Sequence, residues 1–147
     1  MSSHPREYFW EDLKVGLRHE FGVVITDAMM AHFRGDFGDT NPLHTDRAYA
    51  VARGFRDRVA YGMLTASFYS TLAGVHLPGR FCLLHGINVS FHRPVFVGDR
   101  LVISGEVSYL NDAYRQAEIA AAIADDQGVI VSKAKLRVGV LTPESGQ

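Results

Sequence analysis

An α+β fold, built as one antiparallel sheet covering a single apolar helix, is what this sequence predicts. Three observations carry that expectation. The stretch "GMLTASFYSTLAGVHLPG" is apolar or small nearly all round, the pattern of a helix inside a protein rather than on its surface. Four β-periodic segments follow it, set off by turn signals. One further strand precedes it, separated from it by short stretches of helical spacing.

The elements are justified in chain order. Residues 17–26, "LRHEFGVVIT", are β-branched and partly alternating, and read as a strand. Thr26 or Asp27 can then cap a helix through "AMMAHFRGDF", whose Met29, Met30, Phe33 and Phe37 form an apolar face. Asp46 and Gly54 are suited to begin and end a short helix over "RAYAVAR". "FRDRVAY" is a connector to the apolar helix, which Pro78-Gly79 ends. The chain then changes period. "FCLLHGINVSFHRPVF" reads as a strand with His85, Ile87, Val89 and Phe91 on one face. "VGDRLVISGEVSYL" alternates at Leu101, Ile103, Val107 and Tyr109. "RQAEIAAAIA" has helix-favouring alanines but lies between the hairpin signals "LNDA" and "DDQG", so a strand is expected. "VIVSKAKLRVGVL" is the last strand, and the four are expected to form a meander.

One sheet must cover the apolar helix, because nothing else in the chain can bury it. A curved sheet around a central helix is the hotdog fold. Its exposed edges are commonly resolved by pairing with a second copy, so a homodimer or higher homo-oligomer is expected.

The bulk numbers agree with one domain over 1–147: of 147 residues, 47% are hydrophobic and 21% charged. Formal net charge is −1, so no field of one sign argues for nucleic acid or a membrane surface as a partner. "RGFRDR" and "HRP" can still make local basic patches. The one cysteine, Cys82, excludes an internal disulfide and reads as a small buried hydrophobe. No run is long enough to span a bilayer, and "MSSHPREYFWEDLKVG" lacks the apolar region of a signal peptide. A cytoplasmic location is therefore expected. The "PESGQ" tail is expected to fray.

Chemistry concentrates in "GDFGDTNPLHTD", residues 35–46. Turn chemistry alone explains much of it: Asn41 is a good N-cap, Pro42 suits the first helical position, and Asp39 can cap or form an Asx-turn. The functional reading is that Asp39 and His44 converge across a Pro-fixed turn as a general acid–base pair. Metal binding by Asp39, His44 and Asp46 has little support, since no HxH or HExxH spacing and no second ligand cluster is present.

"FRGDFGDTNPLHTDRAYA" resembles the signature of the MaoC-like, or type 2, (R)-specific enoyl-CoA hydratases: Asp-x-Asn-Pro-x-His, preceded by Gly and followed by x-Asp and a short Tyr- or Phe-Ala helix. Gly38, Asp39, Asn41, Pro42, His44, Asp46, Tyr49 and Ala50 carry it here. "YGMLTASFYSTLAG" is similar to the family's central hotdog helix, and "VSFHRPVFVGDRL" to its Phe-x-x-Pro-Val-x-x-Gly-Asp strand and turn. The resemblance covers residues 23–141 and implies a helical overhang carrying the hydratase motif. Gly-Asp occurs twice, but only Gly38-Asp39 has the right offset to Asn41-Pro42, so Asp36 is a decoy.

The resemblance implies a hydro-lyase without cofactor or metal. It would add water across a trans-2-enoyl thioester to give the (R)-3-hydroxyacyl thioester, or run the reverse dehydration. Asp39 would activate the water and His44 would hold it and move a proton towards the α-carbon. Asn41 would orient the loop, or act as a cap only. The N–H of Gly62, at the positive end of the central helix, would stabilise charge on the thioester oxygen. Ser70 falls where a serine lines the family's pocket, although a serine on a buried helix is often paired to a backbone carbonyl. Tyr61 stands where many relatives have His and would shape the substrate wall. His85 and His92 read as structural, and Arg93 as a contact for a CoA phosphate. The implied carrier is CoA or acyl carrier protein. A hotdog thioesterase and a non-catalytic acyl-binding module are the competing readings.

Overall fold

The computed structural model describes residues 4–143. Of the tail expected to fray, residues 144–147 lie outside the described residues. The chain runs β1 (Arg18–Val24), α1 (Asp27–Phe37), α2 (Pro42–Thr45), α3 (Arg47–Ala52) and α4 (Gly62–Thr71). It continues as β2 (Cys82–Phe91), β3 (Arg100–Asn111), β4 (Gln116–Asp125) and β5 (Ile130–Val140). The five strands form one antiparallel sheet in the order β1-β3-β4-β5-β2.

Local chemistry explains the helix ends. Thr26 accepts the Met29 N–H at 3.1 Å, Asn41 accepts the Leu43 N–H at 3.0 Å, and Asp46 accepts the Tyr49 N–H at 3.2 Å. Pro42 occupies the first turn of α2, where its missing N–H costs nothing. Gly54 follows α3 at φ +95°, a conformation that an L side chain would strain.

The core lies between α4 and the inner face of the sheet. Ile103 and Val107 of β3, Ile119 and Ile123 of β4, and Leu136 and Val138 of β5 are wholly buried there. Leu72 and Tyr69 press against them from the helix side, and the Tyr69 hydroxyl donates to Ser132 Oγ at 2.9 Å. A Cβ on Gly105 would stand 2.6 Å from Leu72 Cδ2, so β3 needs a residue without a side chain where the helix crosses it. This is the hotdog arrangement. The alanine-rich β4 is a strand as expected: its hairpins to β3 and β5 override helix propensity, and alternation sends Ala117, Ile119, Ala121 and Ile123 inwards.

Several expectations need correction. The four later strands are not a single meander: β3, β4 and β5 are, but β2 pairs with β5 at the far edge. The reason is that β3 already has β1 and β4 as its neighbours, so β2 has no place beside it and pairs with β5 instead. The central helix does not stay α-helical to Pro78, since residues Leu72–His76 wind as a π-helical turn. Nor is it buried all round: Met63 is 67% exposed, and Ser67 and Ser70 share its open face. Phe37 is 72% exposed, with its ring 4.8 Å from that of Phe33. Tyr109 also points outwards, because the β3–β4 register shifts between Val107 and Tyr109 and reverses the alternation. A similar shift at the β2–β5 pairing, between Leu84 and Gly86, leaves His85 exposed and bonded to Gln116 at 2.8 Å.

Cys82 is half-buried, and desolvation pushes its thiol up to about 11. A raised thiol pKa depletes the thiolate at every pH below that value. Cys82 should therefore react slowly with iodoacetamide at pH 8 and fast once urea unfolds the chain, as read by mass spectrometry. For the core, Leu72→Ala should lower stability by about 3 kcal/mol in urea titrations, because the cavity beside Gly105 cannot collapse fully.

Candidate active site

A cavity of about 340 Å³ opens at the N-terminus of α4. Its wall includes His44, Val59, Gly62, Thr65, Phe91 and Ser132. Small-molecule sites commonly enclose roughly 300–1,000 Å³, so the space is large enough for a small organic group.

His44 reaches this cavity because α2 is clamped from both sides by one residue. The Val59 N–H donates to the Leu43 carbonyl at 3.1 Å, and the His44 Nδ1–H donates to the Val59 carbonyl at 2.7 Å. A carbonyl can only accept, so Nδ1 carries the proton and Nε2 of the neutral ring keeps its lone pair. Val59 is itself held by a bridge to Phe96, and the Ala60 N–H donates to the Val95 carbonyl at 2.6 Å. Arg56 strengthens the tie by pairing with Asp99 at 2.9 Å and lying over the Phe96 ring. The "FRDRVAY" connector is thus the support of His44.

Gly62 brings a main-chain donor to the same cavity. The Leu64 and Thr65 N–H groups both donate to the Tyr61 carbonyl, whereas no hydrogen bond is made by the Gly62 N–H among the described residues. Tyr61 provides no side-chain cap. A Cβ at position 62 would meet the Phe91 ring at 3.2 Å, so glycine also fits the local space.

Asp39 is exposed and is not part of the cavity wall. Its Oδ1 accepts the Asn41 N–H at 3.1 Å, closing the expected Asx-turn. Asn41 caps α2 and shares no bond with His44. Tyr61 links the two acid–base candidates. Its hydroxyl donates to the Asp39 main-chain carbonyl at 2.5 Å, and its ring lies 4.3 Å from that of His44. At 2% exposure Tyr61 is buried and lines a neighbouring space of about 460 Å³, which His44 also borders.

The remaining candidates divide. Arg93 and His92 border the cavity; Arg93 makes no ion pair among the described residues, and His92 is bonded to Ser90 Oγ at 2.9 Å. His85 lies on β2, away from the site. Asp36 is not part of the cavity wall. Ser70 is exposed and outside the wall, two turns along α4 from Gly62. Sequence reasoning missed Val59, Thr65 and Ser132. Val59 acts through its main chain, for which residue type gives no signal.

The MaoC like domain matches residues 11–127 of the chain. The (R)-specific enoyl-CoA hydratase of Aeromonas caviae is 34% identical over 120 residues, covering 82% of this chain and 90% of that protein. The 3-hydroxybutyryl-CoA dehydratase of Methylorubrum extorquens is 31% identical, over 90% of this chain and 85% of its own length. Among solved structures, the unliganded R-hydratase PhaJ1 of Pseudomonas aeruginosa superposes with a TM-score of 0.87 at 28% identity, covering 94% of this chain and 88% of that one. With that domain matched over most of the chain and relatives more than 30% identical over most of its length, the chain belongs to the MaoC-like dehydratase family.

Proposed function

We propose that the protein is an (R)-specific hydro-lyase that hydrates trans-2-enoyl thioesters, or dehydrates (R)-3-hydroxyacyl thioesters in reverse. The observation that carries this reading is the joint presence, on one cavity, of His44 with its Nε2 lone pair free and Gly62 with its N–H free.

The thioester carbonyl accepts the Gly62 N–H, which draws electron density from the enoyl double bond. A water held between His44 Nε2 and the Asp39 carboxylate attacks the β-carbon. The C–O bond forms as the C=C π pair moves towards the thioester oxygen, giving an enolate that the α4 N-terminus stabilises. The proton that water loses passes to the Asp39–His44 pair and returns from it to the α-carbon. Atoms balance with no external oxidant or reductant. Asn41 keeps the loop in register by capping α2. Arg93, on the cavity wall, is assigned to the carrier end of the substrate, and Ser70, on the open face of α4 outside that wall, to an acyl chain longer than the cavity holds. CoA and acyl carrier protein present the same thioester chemistry to this cavity.

A homodimer is part of the proposal. β2 is an edge strand with Leu83, Leu84, Ile87 and Phe91 exposed, and Met63 is exposed on the open face of α4. A second copy paired along β2 would remove the edge and cover apolar area. Leu84→Lys combined with Ile87→Lys should convert a species of twice the chain mass into monomer in light-scattering measurements. A monomeric parent protein would sink the dimer.

The activity test is crotonyl-CoA hydration, followed by loss of enoyl absorbance alongside free thiol. Absorbance should fall without thiol release; thiol release would support a thioesterase instead. Asp39→Asn and His44→Ala should each lose at least roughly 100-fold in rate while remaining folded. Asp36→Asn should stay within about twofold of the parent, since a conservative change outside the machinery removes no transition-state contact. Parent-like rates in Asp39→Asn or His44→Ala would overturn the assignment.

A further inference from the structure

We propose that Tyr61 is the positioning residue of the Asp39–His44 pair, acting through both and touching no substrate. The proposal rests on the hydratase reading and goes beyond it by naming what sets the pair's geometry.

Four observations converge. The Tyr61 O–H donates to the main-chain carbonyl of Asp39 at 2.5 Å. Its ring packs on the His44 imidazole at 4.3 Å with the planes 34° apart. The opposite side of the ring is backed by Phe33 at 4.6 Å, so Tyr61 is wedged between α1 and α2. Finally, Tyr61 is absent from the wall of the cavity that holds His44 and Gly62.

Each member of the pair is therefore held at two points. Asp39 is tied by its carbonyl to Tyr61 and by Oδ1 to the Asn41 N–H, which leaves Oδ2 for water. His44 is tied by Nδ1 to the Val59 carbonyl, and its ring plane is set by Tyr61, which leaves Nε2 for water. One phenol couples the two. A side chain with a ring but no donor would keep the second tie and lose the first. An aliphatic side chain would lose both.

The donor role persists across the working pH range. Burial raises the Tyr61 pKa above its ordinary value, and the Asp39 charge raises it further, against the opposing pull of Arg34 and Arg58. The phenol stays protonated and the bond to Asp39 is retained.

The test combines kinetics with a spectroscopic readout. Tyr61→Phe should lower kcat for crotonyl-CoA by roughly 10- to 100-fold, the scale expected when a reacting group is slightly misplaced. KM should stay within about twofold, since no substrate contact is lost. In the Asp39→Asn background, adding Tyr61→Phe should cost no further rate, because both act through one carboxylate. Unchanged kcat, a change confined to KM, or losses that multiply in the double variant would each overturn the proposal.

Nitrogen NMR of the histidine rings tests it without turnover. His44 should give one sharp set of Nδ1–H tautomer signals in the parent and exchange-broadened ones in Tyr61→Leu, where the Val59 carbonyl still accepts from Nδ1 but nothing holds the ring plane, with the fold confirmed by circular dichroism. An unchanged His44 signal in a folded Tyr61→Leu protein would also overturn the proposal. If the parent fails to hydrate crotonyl-CoA while the His44 signal responds as expected, the hydratase reading fails and the positioning role stands.

Discussion

A methyl group on Gly105 would stand 2.6 Å from Leu72 Cδ2, and that closeness of helix to sheet governs the rest of the molecule. The helix can approach so far only because β3 has no side chain there. Leu72 and Tyr69 then fill the space under the sheet, while Ile103, Ile119 and Leu136 seal it. Packing of this density is intolerant of sliding. It fixes where α4 begins, and so where the Gly62 N–H points. A donor useful for charge stabilisation must be aimed before the reaction starts, since reorienting it later would cost the barrier what it saves.

The polar segment is fixed by different means. α2 is a single turn and could not hold its own shape in water. It is stabilised by its Asn41 cap and Pro42 start, and above all by the reciprocal bonds between Val59 and the Leu43–His44 pair. Val59 is attached in turn to the segment that leads from β2 to β3. His44 and Gly62 therefore share one rigid support, although neither lies on the sheet. The β2 crossover has a functional result here: by running to the far edge, the chain must return past the connector, where Val95 and Phe96 pin it.

How much of this the sequence reveals depends on the range of the interactions. Caps at Thr26, Asn41 and Asp46 were legible because each bonds within three residues of itself. The strand character of the alanine-rich β4 was legible from its flanking turns. The position of β2 was not, since it depends on which sheet edges β1 has already taken. The outward turn of Tyr109 hinges on one register shift, which alternation cannot announce. At the candidate site, Asp39, His44 and Gly62 are proposed from the family resemblance of their motifs, but the direction of the Tyr61 hydroxyl has no signal in the sequence. A phenol next to a helix start reads equally as a wall, a cap or a clamp until its acceptor is known.

The partners of the site residues are mostly main chain. His44 is oriented by the Val59 carbonyl, Asp39 by the Asn41 N–H, and the bond from Tyr61 ends on the Asp39 carbonyl. Main-chain partners survive any substitution that preserves the local path. The site therefore demands few side chains, and the cavity lining is free to vary around them. That asymmetry follows from chemistry: water attack needs a fixed base, a fixed proton carrier and a fixed oxyanion donor, whereas an acyl group needs only apolar space of the right depth. Phe55 and Val131 belong to the second kind of residue, and Tyr61 supports the first kind through its ties to Asp39 and His44. Its ring and hydroxyl serve two different members of the pair, so a substitution there acts on the pair's geometry while leaving the wall of the His44–Gly62 cavity in place.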